Sequence, residues 1–517
     1  MFGRVLLASI MLSAPLGAVQ AERAGAAGGG GRVPLVAVPK AQCQPGDPVE
    51  TGLQGQVPMA DRLSGRAAKG YACNLTMVGE FASRSFANFD TYGNCAYYTD
   101  NSGGFLGPAS DGGGVVLDVS DPAHPVKTDY LTARAMGNAG ESLRVNARRG
   151  LLVADHYGNG TADPKLPSIG TFPWLAVYDV SKDCRHPVLL ADVAMPHGRG
   201  HEGWFAPDGL TYFMTSMYGG TTTAVDLTDP AHPQELATWP YAVHGGSVSE
   251  DGRRAYLASV TSPDAVLVVD TTDVGPGRAN AGRIVSTIPI DHNFANQGTY
   301  RLDYGGHPYL LSFGEATDDF AARCSRPDDT NFDAPRFFDM ADERHPVMVS
   351  KFMTEVNDPA NCQTVAHDNS PWIDGTEKGD PFLPFASNLF VYDAHYCTPD
   401  RLHDPTILAC ANFLSGLRVY DIRDPRHPRE IAYDNTGAVA GPGVPDGPVP
   451  FLEAAAARPV IRRDLGQIWW VTFHTGFHAA RFAPCVWPFP GDDPCPGAYD
   501  YFQAQYDSGY AACRANR

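Results

Sequence analysis

Beyond its N-terminus the 517-residue chain has no run of about 20 apolar residues, which excludes a later membrane-spanning helix. It also has no Lys/Arg-rich run, and its 39 basic residues stand against 58 acidic ones for a net charge of −19. A surface this acidic repels phosphate backbones and anionic lipids at long range, so it argues against nucleic acid and peripheral membrane surfaces as partners. GxSxG elbows, Walker loops and dinucleotide fingerprints are absent, leaving nucleophile-elbow hydrolase and nucleotide-binding readings without support. A helical period is hard to find anywhere, and none of the eleven cysteines forms a CxxC pair. Scattered cysteines of this kind read as disulfide staples in an exported protein, with an odd one left over, and Cys485 and Cys495 are placed to clamp the C-terminal tail.

Arg4 precedes the apolar stretch Val5 to Leu16, and small residues follow through Ala21. This is the layout of a secretory signal peptide over residues 1–21, and it predicts export to the periplasm, the cell surface or the medium. Residues 22–73, with the run Gly28 to Gly31, read as a Gly/Pro-rich flexible leader. A folded domain is expected over 74–484 and a Cys-containing tail over 485–517.

What the chain does have is one phrase, repeated: an apolar strand ending in Asp, a tight polar turn and usually a Pro. It reads GVVLDVSDPAHP from Gly114, LAVYDVSKDCRHP from Leu175 and TTAVDLTDPAHP from Thr222, and it returns at Val266, Arg336 and Leu417. Self-similarity at roughly 45 residues marks a unit that cannot bury its own apolar face and must stack on copies of itself. The phrase resembles the LVIVD repeat, a β-propeller blade motif, and that resemblance implies an all-β propeller over most of the chain beyond Asn74. It implies little about activity, because one scaffold hosts many functions.

Each phrase is preceded by another short strand and a DG-like turn, so four-stranded antiparallel blades can be counted from an inner strand A to an outer strand D. The count reaches seven, but the last set, QIWWVTF from Gln467 and GFHAARF from Gly476, has no outer strand after it. LTMVGEF at Leu75 to Phe81 resembles other outer strands and is predicted to close the ring there, removing exposed sheet edges. The strand from Thr406 is expected to be separated from its inner strand by an insertion of about 30 residues.

The repeated Asp118, Asp179, Asp226, Asp270, Asp339 and Asp421 are read as turn residues, since a short carboxylate at a strand end accepts from the following backbone. The adjacent His124, His186, His232, His345 and His427 are assigned no chemistry. A second histidine series lies at or just before inner strands: His201, His244, His292 and His367. Inner strands surround the axis, so these four imidazoles are candidates to hold one transition metal, Cu, Fe or Zn. Glu202 and Asp368 each follow one of them and are candidates to orient imidazoles. His156, Glu315 and His474 are expected on the same rim, and His197 lies close in sequence to His201.

Two functions follow. The favoured one is a non-catalytic scaffold presenting its channel face to a protein, a glycan or a small molecule. The alternative is a metal-dependent enzyme, oxidative or hydrolytic, with an axial four-His site.

Overall fold

The computed structural model describes residues 33, 35–100, 112–137, 139–156, 174–198, 200–216, 220–260, 265–290, 295–316, 334–368, 392–440 and 450–489. Contacts divide the chain into two units, Met1–Val33 and Pro34–Arg517. The expected signal peptide, the tail beyond residue 489, His292 and Cys495 lie outside the described residues.

Seven antiparallel four-stranded sheets follow one another along the chain. The first blade runs Asp90–Tyr92, Cys95–Thr99, Gly114–Asp118 and Val126–Leu131; the second Arg144–Asn146, Leu151–Asp155, Trp174–Asp179 and Val188–Ala194. The third runs Glu202–Phe205, Thr211–Ser216, Thr221–Asp226 and Gln234–Trp239; the fourth Val243–Val248, Arg254–Ser259, Ala265–Asp270 and Arg283–Pro289. Blade five comprises Ala295–Tyr304, His307–Ala316, Arg336–Asp339 and Val347–Met353, and blade six Cys397–Pro399, Ile407–Ala411, Leu417–Asp421 and Arg429–Asn435. In the seventh, Val460–Arg462, Gln467–Thr472 and Gly476–Phe482 are completed by Leu75–Phe81, which pairs antiparallel to Gly476–Phe482. The predicted closure is therefore present. Gly79 has to be small there: a Cβ on it would lie 2.2 Å from the Pro122 carbonyl of the first blade.

The repeat phrase has a common geometry. In all six blades that carry it the register between strands C and D slips two residues before the Asp, at Val116/Leu117, Val177/Tyr178, Ala224/Val225, Val268/Val269, Phe337/Phe338 and Val419/Tyr420. A bulge there sharpens the twist at the outer edge of each blade. Each Asp then accepts from the backbone N–H two residues on, at 2.9 Å for Asp118, 2.8 Å for Asp179 and 2.7 Å for Asp226. The distances are 3.0 Å for Asp270 and Asp339 and 3.1 Å for Asp421. His124, His232, His345 and His427 each place Nδ1 2.8 Å from the turn's second Asp, and His186 lies 3.5 Å from Asp129. Interleaved apolar side chains such as Val116, Val177, Val268 and Val419 fill the space between blades and are fully buried.

The leader is where expectation and structure part. From residue 35 onward it packs on the ring: Leu35–Ala37 runs parallel to Val347–Met353, and Tyr71–Cys73 adds a fifth strand to blade six. A Cys43–Cys73 disulfide ties its ends, and Val57, Tyr71 and Cys73 are buried among Phe86, Phe413 and Phe473. Arg418 pairs with Glu50 of this segment and, at 3.0 Å, with Glu430, stacking on the Tyr433 ring at 4.6 Å. Composition suggested flexibility, but a few long-range contacts decide the outcome. Cys95–Cys184 and Cys397–Cys410 are further disulfides, and Cys362 and Cys485 are disulfide-bonded too. Such cross-links point to an oxidising compartment. Among the described residues no helix is long and apolar enough to cross a membrane.

Candidate metal centre

The heads of the inner strands bring five donors together from five blades. Glu141 precedes strand A of blade two, His201 precedes that of blade three, and His244 lies in that of blade four. Glu315 ends strand B of blade five, and His395 precedes strand A of blade six. Local backbone irregularities aim them. The A–B register of blade four slips between Val243 and Gly246, and that of blade five slips twice around Gln297, as bulges near sites commonly do. Gly245 leaves room for its neighbours: a Cβ there would lie 1.9 Å from Glu202 Oε2.

His201 Nε2 and His244 Nε2 are 2.9 Å apart, with the rings edge to face. Glu141 Oε2 lies 3.7 Å from each of those nitrogens, while its Oε1 is 3.3 Å from His395 Nε2. Glu315 places Oε1 3.0 Å from His244 Nε2 and Oε2 3.0 Å from His395 Nε2. Two sets of donor atoms fall mutually within 4.8 Å: Glu141, His201 and His244, and Glu141, Glu315 and His395. All five residues are buried. This buried His/Glu cluster could hold a metal.

The surrounding groups fix the donors. His395 Nδ1 donates to the Ala456 carbonyl at 2.6 Å, which turns Nε2 toward the cluster. Glu202 Oε2 lies 3.5 Å from His244 Nδ1, and its Oε1 takes Arg144 at 3.1 Å together with Arg458. The Tyr396 hydroxyl stands between Glu141 Oε2 at 2.6 Å and Glu202 Oε2 at 2.8 Å, under the Arg458 guanidinium. Gln297 Nε2 reaches Glu141 Oε2 at 2.7 Å and His395 Nε2 at 3.1 Å.

The metal-free electrostatics follow from crowding charges out of water. Burial would raise the Glu141 carboxyl, but His395, His244 and His201 hold it well below its usual value. Burial likewise opposes ionisation of Glu315, and His244 outweighs it and lowers that carboxyl. His244 is pushed up to about 10: burial works against the charge, yet Glu315 and Glu141 overcome it. His201 goes the other way, to about 4, through burial and the charge on His244. The two imidazoles are thus shifted in opposite directions across their 2.9 Å contact.

Of the residues singled out from sequence, His201, His244, Glu202 and Glu315 converge here. His156 is buried immediately after strand B of blade two, with its carbonyl against Gly200. His474 pairs with Glu453 at 3.2 Å on blade seven, and exposed His197 pairs with Glu235 at 2.7 Å. His367 and Asp368 are corrected in position: they lie on the short helix Cys362–Asp368, not at the head of an inner strand. The sixth inner strand is Cys397–Pro399, close in sequence to its partner Ile407–Ala411 and cross-linked to it by Cys397–Cys410, so no long insertion separates the two. The histidine at that head is His395. Glu141 and His395 were missed as donors, and His395 carried a usable signal because it stands before its inner strand as His201 does.

No protein-family model and no curated protein matches the sequence. Solved structures resemble it at the level of fold. A putative 6-phosphogluconolactonase from Bacteroides uniformis is 10% identical, covering 72% of this chain and 91% of its own, with a TM-score of 0.43. The Cps50 (Swd1) β-propeller domain of Myceliophteria thermophila is 11% identical, covering 78% and 99%, with a TM-score of 0.44. Likeness this distant carries no functional argument.

Proposed function

We propose that this chain is an exported metal-dependent enzyme on a propeller scaffold, with His201, His244 and Glu141 holding a first-row divalent ion at the axis. The observation that carries the reading is the pair of Nε2 atoms 2.9 Å apart with one carboxylate oxygen 3.7 Å from both. Ligand nitrogens bound at about 2.1 Å stand roughly 3.0 Å apart when cis in an octahedron, so the imidazoles are already at ligand spacing. Two His and one carboxylate is a set used by non-haem Fe(II) oxygenases and by Zn hydrolases alike.

A divalent ion here supplies Lewis acidity to a bound water or substrate oxygen. The chain supplies the rest. Glu202 sets a carboxylate oxygen 3.5 Å from His244 Nδ1, Arg458 and Arg144 favour the ionised form of Glu202, and Tyr396 holds Glu141 and Glu202 in one place.

Elemental analysis of protein purified without added metal tests the reading. The expected result is at least one equivalent of a first-row metal per chain, falling in His201→Ala and His244→Ala with the fold retained. Iron would select oxidative chemistry and zinc hydrolytic chemistry. Failure to retain or rebind Fe(II), Zn, Mn or Cu would overturn it, and leave a scaffold that presents its channel face to a protein or glycan.

A further inference from the structure

We infer that the centre is dinuclear: a second divalent ion sits beside the first, held by His395, Glu315 and Glu141, with both carboxylates bridging the pair. This rests on the metal reading above and goes beyond it in ion count and in donors.

The carboxylates carry the argument. Glu315 turns Oε1 to His244 Nε2 and Oε2 to His395 Nε2, each at 3.0 Å. Glu141 divides its oxygens the same way, with Oε2 toward His201 and His244 at 3.7 Å and Oε1 toward His395 at 3.3 Å. A carboxylate that chelates one ion turns both oxygens to the same place. Two carboxylates that each offer one oxygen to either side are arranged as bridges, and the two mutually close donor sets share Glu141 as a bridge must.

An orphaned atom supports the second site. The guanidinium groups of Arg144 and Arg458 are directed to Glu202, which leaves Glu141 and Glu315 to His201, His244 and His395 among the described residues. Gln297 is fully buried, and its Oε1 has no hydrogen-bond partner, while its Nε2 lies 3.1 Å from His395 Nε2. Rotating that amide by half a turn exchanges the 2.7 Å hydrogen bond from Nε2 to Glu141 for a carbonyl oxygen available as a further ligand on the His395 side. Paired ions of this kind stand about 3.5–4 Å apart and clamp the attacking and leaving oxygens of a displacement.

The test is stoichiometry on the full-length protein, stripped with chelator and reloaded with Mn(II). Two equivalents per chain and an exchange-coupled electron paramagnetic resonance signal are expected. His395→Ala should bind one equivalent and give the signal of isolated Mn(II), with melting checked by circular dichroism. Should that variant fail to fold, the near-isosteric Glu315→Gln reports the same loss of coupling. One equivalent in the wild type, or an unchanged count in folded His395→Ala with unchanged coupling in Glu315→Gln, overturns the dinuclear centre and leaves the single-ion reading standing. No binding of Mn(II), and none of Fe(II), Zn or Cu, overturns both.

Discussion

Two sets of residues are drawn from successive blades, and they behave oppositely. The outer set, Asp118 through Asp421, is the same residue at the same strand end in six blades, each closing its own turn. The inner set, Glu141, His201, His244, Glu315 and His395, changes residue type from blade to blade and converges on one point. Repetition is what a stacking unit needs, and a ring holds repeated positions apart. A site at the axis needs complementary groups that meet, so chemistry in this molecule lies where the repeat is broken.

The largest change removes the frame on which both sets depend. Deleting residues 75–81 takes the outer strand from blade seven and exposes the edge at Gly476–Phe482. We expect a loss exceeding about 5 kcal/mol, comparable to the stability of a whole domain, seen as absence of a cooperative thermal transition. A truncated chain melting like the wild type would show that the ring closes without its overlap.

Within an intact ring the inner set should respond more strongly. Arg458→Met leaves the fully buried Glu202 with one guanidinium instead of two, and removal of a partner from a buried ion pair costs about 3–5 kcal/mol. Urea denaturation at neutral pH measures it. A loss below about 1 kcal/mol would mean Glu202 is adequately held by Arg144 and Tyr396 alone.

The contrast also explains what was legible. The blade count, the closing strand Leu75–Phe81 and the turn role of the Asp series were readable because each is local or periodic. His201 and His244 were readable because they stand at a recurring place. Glu141 was not, since it is one of 58 acidic residues and nothing local distinguishes a carboxylate that meets three imidazoles from one that faces solvent. His395 was hidden by the misplaced sixth inner strand, and the ordered leader by Glu50, whose partner Arg418 is 368 residues away.

Coupling sharpens the comparison at an intermediate scale. His244 and Glu315 touch at 3.0 Å, so the double variant His244→Ala/Glu315→Ala should depart from additivity by about 1–3 kcal/mol. Asp118→Ala and Asp339→Ala lie in turns of different blades and should add to within about 0.5 kcal/mol. Chemical denaturation of the two cycles gives both numbers. Additive behaviour at the axis would show that the His244 and Glu315 side chains act independently there.

The smallest expected effect belongs to a single turn. Asp270 accepts from the Thr272 N–H at 3.0 Å, and this contact, with the Thr272 side chain, lowers its carboxyl below the ordinary value. A carboxyl with a depressed folded-state value stabilises the protein above its unfolded-state value, about 3.9, and that contribution disappears as pH falls through the folded-state value. Asp270→Asn keeps an oxygen acceptor but has no charge to lose. The wild type should therefore be more stable than the variant at pH 7, by less than about 1 kcal/mol because the carboxylate is partly screened by solvent. The gap should narrow as pH falls through the folded-state value, since the Asp270 side chain loses its charge there. Urea midpoints taken from pH 7 down to about 2.5, below the ordinary Asp value, follow it. A gap that persists at the acid end would assign the contribution to side-chain packing and remove charge from the account of these turns.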